Sequence, residues 1–339
     1  MLKIIELQTK LAALFGPSGD ENAVARFISE YSTPYSDGVS VDIMGNLIVH
    51  KKGNGKKLML VAHMDSVGIM VTKIEKSGYL RFCSISASKS VTKYIGSQVV
   101  FSNGIKGYIY GDHPTNINDY RANNNLFVDI GANSYEDAEK VVRVGDMAVY
   151  QPNTYTQNNK LFSNCLDDRI GCAILMSVLS KLKNCTNDIY FVFSVQEEVG
   201  FRGVKTVTQK IVPDYAIAVD VTAASDAPFN DFCSNIVLGN GAAIKIADNT
   251  ILCNKEVVLW LEETASTKNV PYQREILQLG GTDAGAMQVS GSGVPVGGVS
   301  LPARYVHNSI EVADLSDVDA CIALLLEAII SGTPQVVQL

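Results

Sequence analysis

The sequence is poor in several features that would announce a particular chemistry. A single Trp among 339 residues leaves little material for a sugar-stacking platform. Lys and Arg number 28 against 35 Asp and Glu, a net charge of −7, and no basic stripe is present to neutralise phosphates, which excludes nucleic acid as a partner. No apolar run approaches the roughly 18 residues that a membrane span needs. The opening stretch "MLKIIELQTKLAALFG" is broken by Lys3, Glu6, Gln8 and Lys10, so it lacks the apolar centre of a secretory signal, and a cytoplasmic protein is expected. The seven cysteines (Cys83, Cys165, Cys172, Cys185, Cys233, Cys253 and Cys321) are odd in number, scattered and without a CxxC pair. That argues against a disulfide framework or a thiolate zinc site and for reduced thiols.

What is present is apolar and patterned. With 47% hydrophobic residues the chain can build one large core and has room for a second, smaller domain. Ile4, Leu7, Leu11 and Leu14 recur at helical spacing, Gly16-Pro17 stops that helix, and Ser18 with Glu21 reads as the capping box of a second. "VDIMGNLIVH" predicts two strands around a Gly-Asn turn, and the run 58–62 a strand buried on both faces. Between about residues 67 and 160 the texture changes to short runs rich in β-branched and aromatic residues, among them "SQVVFSNGIKGYIYG" with its Asn-Gly hairpin signal. From residue 163 the alternation of helix and buried strand returns, in "DDRIGCAILMSVLSKL", "DIYFVFSV" and "DYAIAVD", and a final helix closes the chain. The expected fold class is α/β: a mixed sheet flanked by helices, built from residues 1–66 and 161–339, with a small β domain inserted at 67–160.

In such sheets ligands gather beyond the carboxyl ends of strands, so polar residues directly after buried apolar runs are informative. "LMLVA" leads to His63 and Asp65, "YFVFSV" to Glu197 and Glu198, "YAIAV" to Asp220, and "VPVGGVSL" through a short loop to His307. Asp167 stands at a helix start, where negative charge is tolerated and can face a cation. Its neighbours Asp168 and Arg169 read as a cap and an ion pair. Only four His are present, and two fall in these positions; His50 and His113 read as ordinary residues. Imidazole with carboxylate suits Zn²⁺ or a similar ion. Three carboxylates and two imidazoles carry three negative charges against four positive on two divalent ions, a surplus that favours a deprotonated bridging water. A base untied to metal is still needed, which explains two adjacent glutamates: one binds and the other catalyses.

The set "AHMDSVG", "CLDDRIG", "QEEVGFRG", "AVDVT", "GGTDAGAM" and "ARYVHNSIE" closely resembles, in order and over almost the whole chain, the glutamyl and deblocking aminopeptidases that form tetrahedral assemblies. The resemblance implies an aminopeptidase-type sheet with a β-barrel-like insertion that builds dimers and then a dodecamer. It implies two divalent ions per subunit, zinc or cobalt, with Asp167 bridging, His63 and Asp220 completing one site, and Glu198 and His307 the other. It makes Glu197 the general base and Asp65 the residue that steadies His63, two positions away on one strand face. Thr282 and Asp283 fall in a loop near the family's active site, as candidate substrate-binding residues. Ser66, Asp168 and the Asn308-Ser309 pair depart from the usual motifs without removing a ligand, and the preferred amino-terminal residue stays open.

The expected reaction is therefore removal of amino-terminal residues from peptides. Two rivals are a glycoside hydrolase, since some members of this family carry an endoglucanase label, and a non-catalytic subunit that binds metal only for stability. Adjacent glutamates and one Trp suit the first poorly, and a free base such as Glu197 has no use in the second.

Overall fold

A computed structural model describes residues 2–86, 94–111, 126–183, 185–228 and 235–334; His113 and Cys233 lie outside the described residues. Helices α1 (Leu2–Ala13) and α2 (Asn22–Ser32) precede the hairpin β1 (Gly38–Val41) and β2 (Leu47–Lys51), then β3 (Lys57–His63). The predicted capping box does not form: Glu21 sits at the cap of α2 without a side-chain cap bond, and the Ser18 hydroxyl donates instead to Asp65 Oδ2 at 2.6 Å. A buried carboxylate is the stronger acceptor and takes the hydroxyl away from the helix end.

Next come β4 (Gly68–Ile74), β5 (Leu80–Ile85), β6 (Gln98–Phe101), β7 (Lys106–Gly111), β8 (Leu126–Asp129), the short helix α3 (Tyr135–Glu139) and β9 (Met147–Tyr150). These six strands close into a barrel in the order β4-β5-β8-β7-β6-β9. Every second residue turns inward, so Ile69, Val71, Leu80, Phe82, Val128 and Ala148 form a core of their own. Asn103-Gly104 makes the expected hairpin turn, with Gly104 at φ 86°. The barrel strands end at Tyr150. β10 (Thr154–Gln157), although inside the 67–160 stretch, pairs with β11 (Lys160–Ser163) in the large sheet.

Then follow α4 (Leu166–Lys181), β12 (Asp188–Ser194), α5 (Arg202–Ile211), β13 (Tyr215–Ala223), β14 (Ala242–Ala247), α6 (Lys255–Thr267), β15 (Tyr272–Ile276), α7 (Asp283–Gln288), β16 (Val296–Arg304), β17 (Glu311–Asp314) and α8 (Leu315–Ser331). Eleven strands form one mixed sheet with the main path β1-β2-β12-β3-β13-β16-β17-β11-β10. β3 shows why its sequence is apolar throughout. Leu58, Leu60 and Ala62 pack on one face with α1, α4 and α8, while Met59 and Val61 pack on the other with α5 and α7.

Arg169 is fully buried but forms no ion pair among the described residues. Its guanidinium donates to the carbonyls of Leu11 (2.7 Å) and Gly16 (2.9 Å), which also accept the N–H groups of Leu14 and Ser66, and so ties α4 to the end of α1. The "GNG" turn at 239–241 holds the carboxylate of Asp317 in α8 through the Gly239 and Gly241 N–H groups, both at 2.7 Å. The described cysteines are free thiols, and among the described residues no helix is long and apolar enough to cross a membrane.

Candidate metal centre

β12 runs parallel to β3, β3 to β13, and β13 to β16, so four strands deliver their carboxyl ends to one edge of the sheet. His63 is the last residue of β3, Glu197 and Glu198 lie in the turn after β12, Asp220 is in β13, and His307 lies between β16 and β17. Asp167 is brought in from the other side by α4. Helical dihedrals begin only after Asp168, and the Asp167–Asp168 peptide is cis. Asp168 caps the helix as expected, its Oδ1 accepting the Gly171 N–H at 3.1 Å. Gly171 is required there, because a Cβ would meet that oxygen at 2.2 Å. Asp168 Oδ2 also accepts the His63 N–H.

The two oxygens of Asp167 reach the two imidazoles: Oδ1 lies 3.0 Å from His63 Nε2 and Oδ2 2.9 Å from His307 Nε2. Asp220 Oδ1 and Glu197 Oε2 each lie 3.9 Å from His63 Nε2, and Glu198 Oε1 lies 3.0 Å from His307 Nε2. The donor atoms of His63, Asp167 and Asp220, and those of Asp167, Glu198 and His307, fall within 4.8 Å of one another. Glu197 joins a third such group with His63 and Glu198. All six side chains line one cavity of about 490 Å³.

Asp65 is placed less simply than expected. His63 Nδ1 is 3.0 Å from the Asp65 carbonyl oxygen and 3.5 Å from its Oδ1. The carboxylate spends its hydrogen bonds on the N–H of Glu197 (3.0 Å), the N–H of Glu198 (3.2 Å) and Ser18. Glu311, which no sequence pattern marked, accepts the His307 N–H at 2.6 Å and the Asp167 N–H at 3.0 Å. Its position was within the run "VHNSIE", but a carboxylate opening a strand carries no signal of what it will hold. His307 itself has φ 66°, a conformation costly for a residue with a Cβ, and the Tyr150 hydroxyl donates to its carbonyl at 3.3 Å. Ser86, at the end of the described β5 segment, donates to Glu198 Oε2 at 3.4 Å, so the barrel touches the site at two points.

Thr282 lines the cavity and caps α7, accepting the Ala284 N–H. Asp283 is the first residue of that helix rather than part of an open loop; its Oδ2 accepts the Ser194 hydroxyl at 2.5 Å, beneath the cluster. Burial pushes the Asp283 carboxyl up to about 6.

Burial alone would lower both imidazole pKa values. Glu197, Asp167 and Asp65 around His63, and Glu198 and Asp167 around His307, raise them well above the usual value. Burial and the neighbouring carboxylates also raise Glu197 and Asp220 well above the ordinary carboxyl range. So many acidic groups in one buried space call for a cation. The residues fit one: Glu198 Oε1 is buried with no hydrogen-bond donor aligned on it, and oxygen with imidazole nitrogen is the donor mix of a divalent metal.

A mixed α/β sheet with an inserted barrel and an imidazole–carboxylate cluster at its strand ends defines a metallopeptidase of the aminopeptidase class. The family model for M42 glutamyl aminopeptidase matches residues 45–324, and the chain belongs to that family. A chain of Acetivibrio thermocellus, provisionally named an aminopeptidase, is 42% identical over 96% of this chain and 98% of its own length. The solved aminopeptidase APDkam598 of the archaeon Desulfurococcus kamchatkensis superposes with a TM-score of 0.92 at 34% identity, covering 98% and 96% of the two chains. The Pyrococcus horikoshii TET1 peptidase, whose title states assembly into a tetrahedron or a large octahedral shell, gives 0.83 at 29% over 96% and 99%. A Thermotoga maritima structure titled endoglucanase gives 0.81 at 31% over 96% of each chain.

Proposed function

We infer that this aminopeptidase works with two divalent cations, Zn²⁺ or Co²⁺, held by His63, Asp167 and Asp220 on one side and by Asp167, Glu198 and His307 on the other. The observation that carries the reading is the reach of Asp167, one oxygen toward each imidazole. When bound, such ions polarise a carbonyl and acidify water.

The chain's own groups do the rest. The His63 Nδ1 contact with Asp65 leaves Nε2 as the donor that faces the cluster. Asp65 fixes the backbone of Glu197 and Glu198 together, so that Glu198 points at His307 while Glu197 stays near His63. Glu197 Oε takes a proton from the attacking water and delivers it to the nitrogen of the leaving peptide. Assembly into a homo-oligomer is supported by the titled assembly of the Pyrococcus horikoshii relative. A cytoplasmic location agrees with the free thiols.

The test is Glu197→Gln. Turnover of an aminoacyl anilide should be lost while metal content per chain is unchanged; an active variant would sink the assignment.

A further inference from the structure

The cavity has two unlike walls. One is the cluster of His63, Asp167, Glu197, Glu198, Asp220 and His307; the other is built by Phe201, Val221, Ala223, Leu277, Leu279 and Val306. Phe201 is fixed by the same turn that presents the glutamates, its N–H donating to the Glu197 carbonyl at 2.9 Å. The Val221 and Ala223 positions continue β13 past Asp220, and Leu277 and Leu279 come from the segment after β15. Thr222 and Thr282 add neutral hydroxyls.

Among the described residues that line the cavity there is no Lys or Arg. Described cations on flanking elements are held by protein groups: Lys205 Nζ donates at 2.9 Å to the carbonyl of Gly200, itself a lining residue, Arg202 reaches Gln196, Arg304 pairs with Asp226, and Lys245 is buried against Glu275 and Asp248. Against the described lining residues an acidic amino-terminal side chain would lose its water without meeting a side-chain counter-charge, and a lysyl ammonium would find the lining carboxylates committed to the cluster. An aliphatic side chain loses nothing and covers apolar surface.

We propose that this site selects peptides whose amino-terminal residue is aliphatic and uncharged, of the leucyl or methionyl type, with the Phe201–Leu277–Leu279 wall as its specificity surface. The proposal rests on the aminopeptidase reading of the cavity and adds the class of residue removed.

The metal-loaded enzyme should be assayed on leucyl, methionyl, alanyl, glutamyl and lysyl p-nitroanilides. The expected kcat/KM for the leucyl and methionyl substrates is at least about tenfold above the glutamyl and lysyl ones, the scale of a hydrophobic pocket's discrimination. Free L-leucine should inhibit competitively at lower concentration than L-glutamate. A profile led by glutamyl or lysyl, or a flat one, overturns the proposal and leaves the aminopeptidase reading standing; cleavage of none overturns both. Leu279 is 61% exposed, so Leu279→Arg does not disturb the core. It should raise the ratio of glutamyl to leucyl kcat/KM about tenfold with metal content per chain unchanged, and an unaltered ratio removes Leu279 from the specificity surface.

Discussion

Asp65 accepts the Glu197 N–H at 3.0 Å, which ties the end of β3 to the turn after β12 at the point where the proposed base is presented. The same carboxylate takes the Glu198 N–H and the Ser18 hydroxyl, so it stands under both glutamates as well as beside His63. Asn offers one acceptor oxygen in place of two. Asp65→Asn should therefore lower kcat by about 10–100-fold with a smaller change in KM, measured by steady-state kinetics. An effect confined to KM would show that Asp65 orients substrate rather than the two glutamates.

Glu311 links the backbone of a residue from each proposed site, His307 and Asp167. Glu311→Gln leaves one of the two N–H groups facing an amide NH₂. Metal retention should weaken by about 10–100-fold in a chelator competition, without loss of the folded circular-dichroism signal. Unaltered retention would reduce Glu311 to a structural acceptor.

Removing the cations should expose the mutual repulsion of the buried carboxylates. Exhaustive chelation is expected to abolish peptide cleavage and lower Tm, and added Zn²⁺ or Co²⁺ should restore Tm in a concentration-dependent way. Differential scanning calorimetry across a metal titration checks this; a Tm indifferent to metal would count against a resident ion.

Arg169→Met would remove one hydrogen-bond donor from each of the Leu11 and Gly16 carbonyls, which keep the N–H groups of Leu14 and Ser66. At about 0.5–1.5 kcal/mol net for each of the two hydrogen bonds, the loss should be about 1–3 kcal/mol, read as a fall in the denaturant midpoint.

Asp317 gives a pH dependence with a definite sign. Burial raises its carboxyl from 3.8 to about 6, although Gly239 and Gly241 donate to it. The folded state thus binds this proton more tightly than the unfolded chain. Its contribution to stability is greatest below pH 3.8, declines up to pH 6 and is flat above. Asn at this position does not titrate, so the stability difference between the wild type and Asp317→Asn should shift against the wild type between pH 4 and 7 by at most about 3 kcal/mol. Urea unfolding at several pH values measures it.

Much of the fold was written plainly in the chain, because an apolar run as short as 58–62, following Gly53 and Gly55, suits a strand covered on both faces better than a helix, and because the barrel's short β-branched runs contrast with the flanking helices. The clustered imidazoles and carboxylates were legible for a related reason, since charge placed directly after such a run is costly unless it meets partners. What stayed hidden is what the backbone does. Ser18 with Glu21 has the spacing of a capping box, but the hydroxyl is captured by Asp65 from a distant part of the chain. Arg169 looks like half of an ion pair, and instead satisfies carbonyls that no side-chain pattern can show. Glu311 and Asp65 hold N–H groups, which every residue but proline carries, so nothing in the letters singles out the partner.

His63 and Asp167, in contact at the centre, are separated by 104 positions, with the whole barrel between them, and His307 comes far later still. A ribosome making this protein releases the first imidazole long before the last. The two halves of the cluster cannot meet until the chain as far as His307 has emerged. Until then its two imidazoles cannot share one carboxylate.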